Sequence, residues 1–177
     1  MYNSYIFVNN IYEYYFERNT YIMAKIVTFG ELAHNPQVIK ALEEKNIRAV
    51  HDVQSAQGKT VIIRSHGVAP DITRQLEEVA DTVIDLTCPF VTRLHQVVAD
   101  YSQDGSPVIL IGQKDHPEVI GTIGYAQGEV YTVNSAEEVS SLPRLDRALA
   151  VSQTTFPHER WEKILPLLEE KVNQLTV

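Results

Sequence analysis

From Lys25 onward the apolar positions change their period every few residues. Short β-branched runs, read as strands, alternate with stretches whose apolar side chains return every three or four positions, as in a helix with one buried face. KIVTF (25–29) predicts a strand, and NPQVIKALEEKN (35–46) a helix with Asn35 as N-cap, Pro36 in its first turn and Val38, Ala41 and Leu42 on one face. IRAVH (47–51) and TVIIR (60–64) predict two further strands. A helix opened by Pro70 runs to about Ala80, followed by a strand at TVIDL (82–86). A helix over 89–100 then places Val91, Leu94, Val97 and Val98 on one side.

The pattern restarts at PVILIG (107–112), a continuous apolar run of the kind found in strands covered on both faces of a parallel sheet. A short helix follows Pro117, then a strand at EVYTV (129–133) and a short helix at SAEEVSSL (135–142) with Ser135 as N-cap. RALAVSQ (147–153) predicts a strand. The last stretch, 157–175, predicts a long helix striped by Trp161, Ile164, Leu165 and Leu168 and kinked at Pro166. Strand–helix alternation of this kind predicts an α/β fold of two similar lobes, each a mainly parallel sheet flanked by helices. The lobes are expected at 23–100 and 101–177, with the boundary between Cys88 and Gly105 and no low-complexity linker.

The first 22 residues have another character. They hold six of the nine tyrosines and no hydrophobic period, so 1–22 is expected to be a non-homologous extension, with homology starting near Met23. They also lack the basic start and apolar core of a secretory signal. The 177 residues are 44% hydrophobic and 21% charged, the balance of a soluble globular chain. A formal net charge of -8 without a basic block points away from nucleic acid and anionic membranes. No run reaches the roughly 18 apolar residues of a membrane span, which makes the cytoplasm the default location. One cysteine excludes an intramolecular disulfide and suits a reducing compartment.

Ligands of open α/β sheets bind beyond the carboxyl ends of the strands, and those ends carry an ordered set of polar groups. They are His34; Ser65 and His66; the single thiol Cys88; His116 and Glu118; and Gln153, Thr154 and Thr155. Each has a local explanation. His34 can precede a helix cap, and Ser65-His66-Gly67 can be a turn with Gly67 at positive φ. His116 and Glu118 can form a surface pair, Thr154 and Thr155 can cap the last helix, and Cys88 can be inert core. Taken singly these explanations suffice; taken together they require five coincidences at one end of the sheets. The functional alternative is an anion site of three histidines able to hold a phosphate or diphosphate, with Glu118 and Thr154 as a proton relay. Cys88 at a helix start would be a nucleophile or a soft-metal ligand. His51, His95 and His158 receive no role, and His116–Glu118 lacks the further ligands of a zinc motif.

The blocks KIVTFGELAHNPQVI, VIIRSHGVAP, VIDLTCPFVTRLH, GQKDHPEVIGTIG and AVSQTTF together resemble the 4-hydroxy-3-methylbut-2-enyl diphosphate reductase family, in that family's order. The resemblance implies two of the three α/β lobes that surround a [4Fe–4S] cluster in this isoprenoid-pathway enzyme. It implies Cys88 as one of three cluster ligands, and His34, His66 and His116 as contacts to the diphosphate of an allylic substrate. Glu118 would deliver protons, and Thr154, supported by Gln153, would contact the substrate hydroxyl. Ferredoxin or flavodoxin would supply electrons.

The departures are equally specific. The family's first cysteine loop is missing from the N-terminal segment, and the third cysteine and the Ser-x-Asn groups belong to a third lobe beyond Val177. The expectation is a chain truncated at both ends, inactive by itself. It would act as a fragment or split-gene product, or regain activity with a separately encoded third lobe. The alternatives are a non-redox relative that binds phosphorylated metabolites, and a cysteine-nucleophile enzyme for which no base partner is evident.

Overall fold

The computed structural model describes residues 25–32 and 36–177. The N-terminal segment, His34 and the Asn35 cap lie outside them. The described residues divide into two units. The first runs to Ser65 and takes in Ile72–Leu86; the second comprises His66–Asp71 and Thr87–Val177.

In the first unit the β-branched runs become strands β1 (Ile26–Phe29), β2 (Arg48–Val50), β3 (Thr60–Ile63) and β4 (Thr82–Asp85). Helix α1 (Pro36–Glu43) joins β1 to β2, and α2 (Pro70–Val79) joins β3 to β4. All pairs are parallel, in the order β2-β1-β3-β4, with Val27 opposite both Arg48 and Val61. Ile26, Ile47 and Ile62 are buried together, with Leu42 of α1 and Ile84 of β4 against them. At the carboxyl ends of β1 and β3, Gly30 takes φ +74, and a side chain there would collide with the guanidinium of Arg64. Burial pushes Arg64 below its ordinary basicity, with Glu31 opposing the shift.

The second unit repeats this arrangement. Helix α3 (Pro89–Tyr101) precedes strands β5 (Val108–Ile111), β6 (Val130–Val133), β7 (Leu145–Ser152) and β8 (Val172–Thr176). Helices α4 (Pro117–Ile123), α5 (Ala136–Ser140) and α6 (His158–Lys171) connect the strands in turn. The sheet is again parallel, in the order β6-β5-β7-β8, so strand succession has the same geometry in both units. The continuous apolar run becomes β5, whose four residues are all buried, in a central position of the sheet. Ile109 and Ile111 share one core with Val139, Ile164, Leu168 and Val172. Val108 and Leu149 share another with Val98 of α3. Through these contacts α3 groups with the second unit, and the division falls before Thr87.

Two expectations about the C-terminal third change. The helix predicted over 157–175 ends at Lys171, and β8 pairs with β7 from Leu145↔Val172 to Leu149↔Thr176. Val172 is buried in that pairing, and an exposed edge of β7 outweighs the helical continuation of the stripe. The helix runs through Pro166 without interruption. Its N-cap is Pro157 with no side-chain cap bond, so neither Thr154 nor Thr155 caps it. Ser135 does cap α5, accepting from the Glu138 N–H at 3.4 Å.

Candidate functional site

In the second sheet β6 lies on one side of β5 and β7 on the other, so the connections leaving β5 and β7 diverge. A crevice opens at such a switch point, beyond the strand ends. Here the loop after β5 carries His116 and Glu118, and the loop after β7 carries Gln153 and Thr154.

Glu118, in the first turn of α4, is 1% exposed. A buried carboxylate needs donors at its oxygens, and both come from one residue on the other loop. The Thr154 N–H donates to Oε1 at 2.5 Å, and the Thr154 hydroxyl donates to Oε2 at 2.8 Å. Glu118 is therefore not half of a surface pair with His116. Thr154 itself is exposed, so the pair links a buried carboxylate to a residue at the surface.

Gln153 is buried behind this pair. Its Oε1 accepts from the Gln113 N–H at 3.2 Å, and its Nε2 donates to Thr155 Oγ1 at 2.8 Å. One amide thus ties the first residue beyond Gly112 to the β7 exit and holds both loops in register. Gly112 makes room for it, since a Cβ there would lie 3.0 Å from that of Gln153.

His116 is the N-cap of α4, and its Nδ1 accepts from the Glu118 N–H at 3.2 Å. With Nδ1 an acceptor, the neutral ring carries its hydrogen on Nε2, the kind of donor a phosphate oxygen takes. His66 sits beside it in the same unit, ring centroids 5.1 Å apart and edge to face. Gly67 adopts φ +68, the turn conformation expected after His66. Two histidines, a buried carboxylate and a threonine hydroxyl are therefore gathered in one unit from three separated segments.

Cys88 is half-buried rather than sunk in core, and forms the N-cap of α3, ahead of Pro89. Its carbonyl accepts from the Thr92 N–H at 2.9 Å. It is the single cysteine of the sequence. Among the described residues no group of three or more His, Cys, Asp or Glu side chains could hold a metal ion. A cluster that takes three thiolates does not fit the residues of this chain by themselves. His51 is exposed, and His158 is exposed and faces Glu162 at 3.4 Å.

Sequence reasoning passed over His95, which is 3% exposed and stacked on Tyr125 at 4.0 Å between centroids. It also passed over Gly121 and Gly124, on which the segment after His66 rests. The spacing of those two glycines on one short helix was the available signal. No helix among the described residues is long and apolar enough to cross a membrane.

The comparisons with known proteins bear on the family and the fold. A 4-hydroxy-3-methylbut-2-enyl diphosphate reductase of Caldanaerobacter subterraneus subsp. tengcongensis is 41% identical over 164 residues, covering 91% of this chain and 57% of its own length. The protein of that name from Alkaliphilus oremlandii is 37% identical over 150 residues, covering 85% of this chain and 54% of its own. The chain thus spans a little over half the length of these curated relatives. A solved structure of (E)-4-hydroxy-3-methyl-but-2-enyl diphosphate reductase, the terminal enzyme of the non-mevalonate pathway, superposes with TM-score 0.77 at 34% identity. It matches 86% of this chain and 56% of its own. The Plasmodium falciparum E-1-hydroxy-2-methyl-but-2-enyl-4-diphosphate reductase gives TM-score 0.81 at 26% identity, matching 97% of this chain and 54% of its own. The family model described as LytB protein matches residues 10–177, beginning inside the segment that the sequence reading set apart. With nearly the whole chain matched, the protein belongs to the LytB family.

Proposed function

We propose that this chain supplies the substrate-side machinery for reductive dehydroxylation of 4-hydroxy-3-methylbut-2-enyl diphosphate. In that reaction an allylic alcohol takes up two electrons and two protons, loses its hydroxyl as water, and leaves isopentenyl or dimethylallyl diphosphate. The observation that carries the reading is the Glu118–Thr154 pair, a buried carboxylate whose two oxygens are both held by one exposed residue at a strand-end switch point. Such a pair moves a proton along a fixed line, from Glu118 Oε2 through Thr154 Oγ1 to the departing hydroxyl. His66 and His116, with His34, bind the diphosphate. Gln153 keeps Thr154 in place by fixing the loop on either side of it.

Electrons come from a reduced donor of the ferredoxin or flavodoxin class, in the cytoplasm. Cys88 provides one thiolate, and the other two cluster ligands are cysteines outside these 177 residues. The family names of the relatives and the shared fold support this reading. A second reading is favoured by the single thiol: the chain binds phosphorylated metabolites without redox chemistry.

Calorimetry of the purified chain with the allylic diphosphate tests the anion site. Micromolar binding is expected, weakened about ten- to a hundredfold by His116→Ala, because a hydrogen bond to a charged group is lost. No heat from the wild-type chain, or equal affinity after the substitution, removes the proposal. In an assembly that carries all three cysteines, with a reduced donor, Glu118→Gln should lower turnover about 10²–10⁴-fold, the worth of a positioned proton donor. Binding that survives Cys88→Ser without any turnover in the wild-type assembly selects the non-redox reading.

A further inference from the structure

His66 and His116 meet although they lie 50 positions apart in the chain, and the short helix α4 accounts for both placements. His116 is its N-cap. Gly121 within that helix and Gly124 at its C-cap lie against the segment that follows His66. A Cβ on Gly121 would lie 3.4–3.5 Å from the backbone of Val68, in ordinary contact. A Cβ on Gly124 would overlap that of Ala69 and lie 3.1 Å from its Cα. On the other side, the segment is closed by His95. A Cβ on Gly67 would lie 2.8 Å from His95 Cε1 and 3.1 Å from Thr87 Cγ2, and His95 is itself stacked on Tyr125.

We infer that Gly124, with the His95–Tyr125 stack, forms a dock that sets His66 against His116, so that α4 carries His116 at its N-cap and seats the His66 segment at its C-cap, Gly121 lending only ordinary contact. These are positioning residues: none needs to touch a ligand. Gly124 has helical φ -64, which any residue adopts, so its need for glycine is steric and arises chiefly from Ala69, with the Gly121 carbonyl 3.3 Å from the added Cβ. The functional meaning of the dock rests on the anion site proposed above; its existence does not.

The test is ring-carbon NMR of the histidines in the full chain, run beside calorimetry with inorganic diphosphate. Gly124→Ala should shift the ring signals of His66 and weaken diphosphate binding about tenfold or more, since a displacement near 1 Å at a polar site costs up to two orders of magnitude. Gly121→Ala, which makes only ordinary contact, should leave both unchanged. Ala69→Gly added to Gly124→Ala removes the overlapping methyl, and should return the ring signals and the affinity towards wild type. Should Gly124→Ala fail to fold, Ala69→Ser presses on the same contact from the other side and should reproduce the shift. If the rings move and return while diphosphate does not bind the wild type, the dock stands and the anion reading falls. Unmoved His66 signals in Gly124→Ala, or no return with Ala69→Gly, overturn the dock.

Discussion

Glu118 shows how much one buried residue can decide. Its oxygens are satisfied by a backbone N–H and a hydroxyl from a residue 36 positions away, so the loop after β7 is bound to the first turn of α4. An unsatisfied buried carboxylate would cost several kcal/mol, on the order of the stability of a whole domain. A different carboxylate carries a pH signature. Asp104 lies below its ordinary value of 3.8 because the Ser106 hydroxyl and N–H donate to it, with Arg147 2.8 Å away adding to the effect. A carboxyl depressed on folding adds stability that is present above its unfolded value and vanishes as pH falls through its folded one. The gap in thermal midpoint between wild type and Asp104→Asn should therefore be open at neutral pH and close below about pH 4, where the unfolded chain begins to take up the proton. A gap independent of pH between 7 and 2 would contradict this.

At the level of elements, α6 and β8 follow each other without a loop, and the junction is fixed by what each end buries. Ile164 and Leu168 place α6 over Ile109 and Ile111, and Val172 continues that core from the strand side. Leu168 is fully buried, and its truncation leaves a cavity between helix and sheet. Leu168→Ala should cost about 2–5 kcal/mol in urea unfolding, with an unchanged denaturant slope. Leu165, half-buried beside it in the same predicted stripe and outside that core, should lose clearly less than Leu168 from the same change.

The whole chain carries one thiol, and this bears on what it does alone. Anaerobic reconstitution with iron and sulfide should leave it colourless, and Cys88→Ser should give the same iron content as wild type. Four irons and four sulfides bound stably to each chain would refute the claim that one thiolate is too few. Brown protein appearing only when polypeptide carrying the two further cysteines is added is the outcome expected of a shared site.

Much of the fold was legible because secondary structure in parallel α/β units is written locally. The run PVILIG announced a strand covered on both faces, and β5 is that strand. Ser135 announced a cap and makes it. The strand-end residues His66, His116, Glu118 and Thr154 were also legible, since in such a fold position at a strand's carboxyl end follows from the alternation itself. Two features were not legible. Val172–Thr176 continues a helical stripe and becomes strand because β7 offers it an edge. His95 looks like any polar residue on a helix until Gly67 and Tyr125 close over it. Local sequence sets each segment's period and its chemistry; which groups meet depends on burial and pairing between segments far apart in the chain, and those are settled when the sheets assemble.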